Sequence, residues 1–437
     1  MTNLLPYVPF FYLCLALFWL VSSVWKLIFP EKTMGKRAKK EGASTQKDIV
    51  KARVNGVVAL SLALLFLLTF KIDIGWLDKP ELTVWSESQN ARQDYEQIID
   101  AFLNKNVIPG LVVGIVDENG SHIYSYGYQG TDKHQKITPD TIFEIGSISK
   151  VFTGLLLAEA VDSGSATLED PIRSCIPQEF INERTFYDQI TLAHLTTHTS
   201  GLPKVPTTLD FTINKFIAGL TGGNPYDKAT RDKVFSYLSR TAPPKSIGTD
   251  WAYSNFGVGL LGTCLSSQKG LSYEETLQRI IAAPLEMTNT TVHLTQAQQA
   301  SFVPGYRGYM RLGRFVMGIQ NKPWLSEEGL VGAGGIRSSG TDMVRFLEAC
   351  ISEELGFISL AKQPVFQMDD ETDMGMGWLL DHSVLEDQTV IWHNGQTGGF
   401  NSYIAFFADK PYGVYVIANT NVNIQSLGEE ILPILGD

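Results

Sequence analysis

Cysteine is scarce in this sequence: four residues in 437 (Cys14, Cys175, Cys264, Cys350), with no Cys-x-x-Cys pair. By spacing they make neither a disulfide framework nor a zinc site, and Cys14 lies in an apolar run from which it cannot sensibly pair. Basic charge is also short. With 35 basic and 46 acidic residues the formal charge is -11, which excludes nucleic-acid binding by a globally basic surface. There are no internal repeats. A composition of 44% hydrophobic and 19% charged residues excludes disorder, collagen and low-complexity sequence. His194 and His198 are four apart, as in a helical metal pair, but no Glu follows His194 in the zinc-protease pattern, and both are read as structural.

What is present is unevenly spread. Leu4 to Trp25 is a 22-residue stretch without a charged side chain, long enough to cross a bilayer as a helix. Val54 to Phe70 is a second, of 17 residues, which Ile72, Ile74, Trp76 and Leu77 extend towards an interface. Lys26 to Arg53 lies between them with nine basic and three acidic residues, a net of +6. Positive loops stay in the cytoplasm. The expectation is a two-helix transmembrane hairpin over 1–77 with a cytoplasmic loop at 26–53, multi-pass in a bacterial plasma membrane, and the rest of the chain outside. The lipid bilayer is then a partner. Residues 78–94 are polar and read as a linker, leaving 95–437 as the working domain.

Tyr95 to Leu103 reads as a short amphipathic helix. Pro109 to Tyr128 reads as a hairpin, because Asn119-Gly120 sits between two β-rich runs. Residues 148–161 are apolar with good helix formers, a helix buried nearly all round that ends near Gly164. Residues 165–345 read as mostly helical, broken by Gly/Pro loops. SYIAFF (402–407) and GVYVIANT (413–420) form a second hairpin around Asp409-Lys410-Pro411, and Asn423 to Leu435 a last helix. Strands at both ends with helices between predict one α/β unit, its sheet closed by distant chain ends around an inserted helical region.

Three segments carry candidate chemistry. In Ser147-Ile148-Ser149-Lys150 the lysine lies one helical turn after the serine, on the same face. A serine hydroxyl needs a nearby base, and a lysine amine serves only if burial or neighbouring positive charge lowers its pKa. Ser-x-x-Lys occurs five times, starting at Ser23, Ser44, Ser147, Ser266 and Ser359; only Ser147 follows a Gly and opens a long apolar helix. In Trp251-Ala252-Tyr253-Ser254-Asn255, Tyr253 alone among sixteen tyrosines has Asn two residues on. Its phenol, if lowered in pKa by cations, could shuttle a proton. Asn255 could grip a substrate carbonyl and bridge to a lysine. In His393-Asn394-Gly395-Gln396, a Gly-rich edge lets substrate backbone approach, His393 could bond a substrate carboxylate or the catalytic hydroxyls, and the Gln396 amide could share an oxyanion with that of Ser147.

Together the segments resemble the class C β-lactamase and DD-peptidase family of penicillin-recognising serine hydrolases. TPDTIFEIGSISKVFTG (138–154), LTTHTSGLP (195–203), WAYSNFGVGLLG (251–262), PLEMTNTT (284–291), GAGGIRSSGTDMVRF (332–346), GMGW (375–378) and HNGQTGGFNSYIAF (393–406) follow in family order. The resemblance implies an α/β fold: an antiparallel sheet flanked by helices with an inserted helical region. It implies Ser147 as acylated nucleophile, Lys150 as its activator and Tyr253 as proton relay. Asn255 would position the acyl side chain, and the amides of Ser147 and Gln396 would form the oxyanion hole, with no metal or cofactor. Substrates would be small molecules or peptides with an amide or ester bond. Two departures qualify this: His393-Asn394-Gly395 stands where Lys-Thr-Gly is common, and Lys204 where β-lactamases place a glutamine. The expected activity is peptidase, on D-amino-acid peptides, or esterase, with weak or no β-lactamase activity. The alternative is a non-catalytic sensor of penicillin or wall fragments.

Overall fold

A computed structural model describes residues 71–86 and 93–435, apart from 132–134, 184–185, 228, 243, 325–327 and 386–387, together with helical pieces at 18–25, 28, 50–51 and 53–61. The strands are β1 (Lys71–Trp76), β2 (Thr83–Ser86), β3 (Gly110–Asp117), β4 (Gly120–Gly127), β5 (Ile142–Glu144), β6 (Gly305–Leu312), β7 (Phe315–Asn321) and β8 (Arg337–Ser339). They continue with β9 (Phe366–Gln367), β10 (Thr372–Met374), β11 (Leu379–Leu385), β12 (Gln388–Gln396), β13 (Asn401–Phe407) and β14 (Gly413–Ala418). Among the described residues nine strands form one sheet, in the order β2-β4-β3-β14-β13-β12-β11-β10-β9, with antiparallel pairings throughout.

The two expected hairpins are its centre. Asp117 pairs with Gly120 across the first turn, and Gly120 has φ +104°, a left-handed conformation that glycine adopts without a Cβ penalty. β14 then pairs with β3, Ala418 opposite Leu111, so the chain ends do close the sheet. Every residue of β3 and β14 is buried, because helices cover both faces. One face meets α1 (Gln93–Lys105), through Tyr95, Ile99 and Phe102, and the C-terminal helix. The other meets the helix Gly340–Ser352, which packs in turn on α2 (Ser149–Asp162), whose Val151, Phe152, Leu155, Leu156 and Leu157 are fully buried. Phe152 stacks on Phe346 at 4.3 Å.

Four expectations fail. The transmembrane hairpin over 1–77 is overturned: among the described residues no helix is long and apolar enough to cross a membrane. Residues 1–17 and 62–70, and most of 26–53, lie outside the described residues. Where the second apolar stretch was expected to run into an interface, Lys71–Trp76 is a strand, paired with β7 from Ile72↔Ile319 to Trp76↔Phe315. Ile72, Ile74 and Trp76 alternate with Asp73 and Gly75, a period of two that suits a strand. The stretch read as a linker likewise supplies β2, the sheet's edge. Within the region read as mostly helical, β6 and β7 form a hairpin, Leu312 opposite Phe315.

The fourth concerns cysteine. Cys175 and Cys264 form a disulfide across 89 residues of sequence, and Cys350 is free and buried. Spacing could not reveal a pairing made by tertiary packing. Closing so long a loop restricts the unfolded chain, which is expected to be worth about 2–5 kcal/mol. Urea unfolding of Cys264→Ala is expected to show that loss in midpoint; an unchanged midpoint would count against the bond.

Candidate active site

Ile145 follows β5, and the chain then makes a tight 3-10 turn, Gly146–Ile148, before α2 begins. Gly146 has φ +54°, and a side-chain carbon there would come within 2.6 Å of the Gln396 amide nitrogen. Glycine is therefore needed twice, for the backbone and for the contact. At Gly395 a side-chain carbon would overlap the Ile145 carbonyl and the Ser402 hydroxyl. These two glycines let β12 lie against the turn that carries Ser147, bringing the Ser147 and Gln396 amides to the same cleft.

Lys150, in the first turn of α2, is 1% exposed. Its Nζ lies 3.0 Å from Ser147 Oγ and donates to the Ala333 carbonyl at 2.6 Å. No carboxylate pairs with it among the described ion pairs. Burial, reinforced by the charge of Lys204, holds the amine well below the ordinary lysine value, which favours the free base.

Tyr253 donates to Ser147 Oγ at 2.7 Å. Serine, lysine and phenol, separated by up to 106 residues, thus meet at one oxygen. The expected lowering of the phenol is not found. Burial pushes Tyr253 above the ordinary tyrosine value, although the Ser147 hydrogen bond opposes this and the side-chain nitrogens of Lys150 and Lys204 sit 4.8 and 5.7 Å from its ring. At neutral pH it is a protonated phenol.

Ser254 caps the helix α3 (Asn255–Gln268), its Oγ accepting from the Gly257 amide at 2.9 Å, and so sets Asn255 at the cleft wall. Asn255 Nδ2 donates to Tyr226 at 2.8 Å rather than bridging to a lysine, and its Oδ1 is buried without a partner among the described residues. The cleft is about 1010 Å³ and is lined by Ser147, Tyr253, Asn255, Gly395 and Gln396 among others.

His393 does not join them. Alternation along β12 turns its neighbour Asn394 out to the cleft and His393 inwards, 2% exposed, with Nδ1 2.6 Å from the Asn394 carbonyl oxygen. Burial first, and then the charge of Lys150, push its pKa down to about 3. It is a neutral imidazole behind the wall, neither a carboxylate anchor nor a cation.

His198, read from the sequence as structural, is a support of this site. It has φ +61°, is buried, accepts the Ser254 amide on Nδ1 at 3.2 Å, and packs its ring 4.5 Å from that of Tyr253. It fixes the strand-like entry to α3 and braces the phenol. Its position in Thr-His-Thr-Ser-Gly was the signal, a bulky residue in a turn-rich run. Burial, and the nearby Lys150 and His393, push its pKa well down. Three crowded basic groups therefore all favour their neutral forms.

Among the described residues no group of three or more His, Cys, Asp or Glu could hold a metal ion. His194 instead completes a capping box with Thr191. Glu144 on β5 and Arg337 on β8 form a buried pair at 3.5 Å beneath the cleft residue Trp324, whose amide Glu144 accepts at 2.5 Å.

A family model described as Beta-lactamase matches residues 95–434. The chain belongs to the beta-lactamase family. A beta-lactamase of Escherichia coli (strain K12) is 25% identical over 378 residues, covering 78% of this chain and 91% of the relative. One from Pseudomonas fluorescens is 25% identical over 364 residues, covering 76% and 94%. Two solved structures share the fold. They are a class C beta lactamase from Rhodobacter sphaeroides (TM-score 0.63, 23% identity, 78% of this chain and 97% of that one) and an octameric penicillin-binding protein homologue from Pyrococcus abyssi (TM-score 0.63, 24% identity, 77% and 75%). The matched span holds every site residue described above, and the beta-lactamase family is one of serine hydrolases.

Proposed function

We propose that the protein hydrolyses an amide or ester through an acyl-enzyme on Ser147, as a peptidase or esterase with little β-lactamase activity. The observation that carries the reading is the convergence of Lys150 and Tyr253 on Ser147 Oγ, at 3.0 and 2.7 Å. The free amine of Lys150 takes the hydroxyl proton as Oγ attacks the carbonyl carbon. Negative charge passes to the carbonyl oxygen, which the Ser147 and Gln396 amides accommodate. The Tyr253 phenol donates a proton to the leaving group and recovers one from the Lys150 ammonium, so the proton count balances. Water then attacks the acyl ester by the same groups in reverse order. A neutral, inward His393 leaves β12 without a fixed cation for a β-lactam or D-Ala carboxylate, which is why β-lactam turnover ranks low. The Cys175–Cys264 disulfide supports work outside a reducing cytoplasm.

Activated phenyl esters, D-Ala-D-Ala peptides, L-peptides and a chromogenic cephalosporin form the test panel. Mass spectrometry of the whole protein is expected to show an acyl adduct that maps to Ser147. Ser147→Ala is expected to lose both adduct and turnover while keeping its unfolding midpoint. Turnover unchanged in that variant refutes the assignment. A persistent adduct with no turnover of any substrate favours the sensor.

A further inference from the structure

We propose that Lys204 forms an anion subsite on the acyl side of the cleft, so that the preferred substrate is an amide or ester whose acyl portion carries a carboxylate. The inference rests on Ser147 being the acylated residue. Lys204 follows Pro203 in the loop before the helical insertion. Its backbone is pinned to the catalytic wall: the Phe256 amide donates to the Lys204 carbonyl at 3.2 Å, one residue beyond Asn255. Its side chain is exposed and lines the same cleft as Ser147, with Nζ 5.7 Å from the Tyr253 ring centre. The ammonium therefore stands on the wall of Tyr253 and Asn255, and this wall is taken as the acyl side from the role that the family resemblance implies for Asn255.

None of the ion pairs among the described residues uses it. The other charged residues described at the cleft are Lys105 and Glu430, so a chain of net charge -11 keeps a locally cationic cleft. The amide side chains of Asn224, Asn255, Asn394 and Gln396 line the same cleft and carry no charge. His393 supplies no positive charge from the other wall. An exposed, unpaired ammonium over the phenol suits a carboxylate held beyond the scissile carbonyl, and it repels cationic acyl groups.

The test compares activated phenyl esters of adipic and pimelic half-acids with the same diacids capped as methyl esters. The readout is the ratio of kcat/KM for anionic over capped substrate. The ratio is used because Lys204 also acts on the amine of Lys150, a change that affects both substrates alike. In the wild type the ratio is expected to exceed one and to fall as salt rises. Lys204→Gln is expected to lower it about fivefold, the worth of one partly exposed ion pair. Lys204→Glu lowers it further, and Lys105→Gln lowers it less than Lys204→Gln does. A second arm needs no turnover: calorimetric binding of the adipic half-acid methylamide to Ser147→Ala protein, expected to weaken about fivefold when Lys204→Gln is added. A ratio and an affinity that both survive Lys204→Gln, or that fall equally with Lys105→Gln, overturn the subsite. Binding that depends on Lys204, with no turnover of any ester by the wild type, keeps the subsite and sinks the Ser147 assignment instead.

Discussion

Lys150→Met is expected to lower kcat/KM for an activated ester about a thousandfold, within the range spanned by positioned acid-base groups. The fold should persist, since methionine fills the space of the lysine stem in the apolar first turn of α2. The variant also reports the amine's charge. In the unfolded chain the amine titrates near 10.5; in the native protein it does so well below, because burial and then Lys204 disfavour the ammonium. Between those two values the unfolded chain binds one more proton than the native one, so stability rises with pH across that window and is lowest beneath it. Urea midpoints at neutral pH and at about pH 10 are expected to climb more in the wild type than in Lys150→Met. The acid limb of wild-type kcat/KM should likewise lie well below the ordinary lysine value. Activity retained in Lys150→Met, or an acid limb at the ordinary lysine value, would remove Lys150 from the role of base.

The largest loss of stability is expected from Glu144→Ala, about 3–5 kcal/mol, because it strands the Arg337 guanidinium in the interior. Arg337 is 1% exposed and has Glu144 at 3.5 Å, the Val292 carbonyl at 2.5 Å and the Trp324 carbonyl at 3.1 Å. Burial alone would raise the carboxyl and lower the guanidinium; each opposes the other's shift, and the guanidinium stays charged in any case. Removing one partner leaves the desolvation cost of the other uncompensated. Removing both, as Glu144→Leu with Arg337→Met, should restore much of the loss. The check is a double-mutant cycle on urea midpoints at constant slope. Additive single losses would mean that the pair does not act as a unit. Because β5 leads into the Ser147 turn two residues after Glu144, ester turnover in the single variants should fall along with stability.

Much of the site could be read from the chain. Ser147 stood out from four other Ser-x-x-Lys matches because a glycine precedes it and a buried helix follows, both local properties. Tyr253 and Asn255 were set by their spacing, and Gly395-Gln396 by the strand after them. The roles of individual side chains were less legible. His393 looks in sequence like the third motif's cationic position, yet β-strand alternation turns it inwards and burial makes it neutral. Tyr253 was expected to be acidified by nearby cations, but desolvation outweighs them. His198 looked structural, and its ring braces the phenol.

Periodicity and turn chemistry act over a few residues, so the sequence by itself determined the hairpins at 110–127 and 401–418, the buried helix after Ser147 and the order of the motifs. Only the tertiary structure decided which distant groups meet and how dry they are. It paired Cys175 with Cys264 and gave residues 71–76 to a strand beside β7 rather than to a helix. It also placed the Lys150 amine where water cannot stabilise its charge. Those outcomes depend on contacts between residues tens to hundreds of positions apart and on the solvent those contacts exclude, neither of which a local pattern encodes.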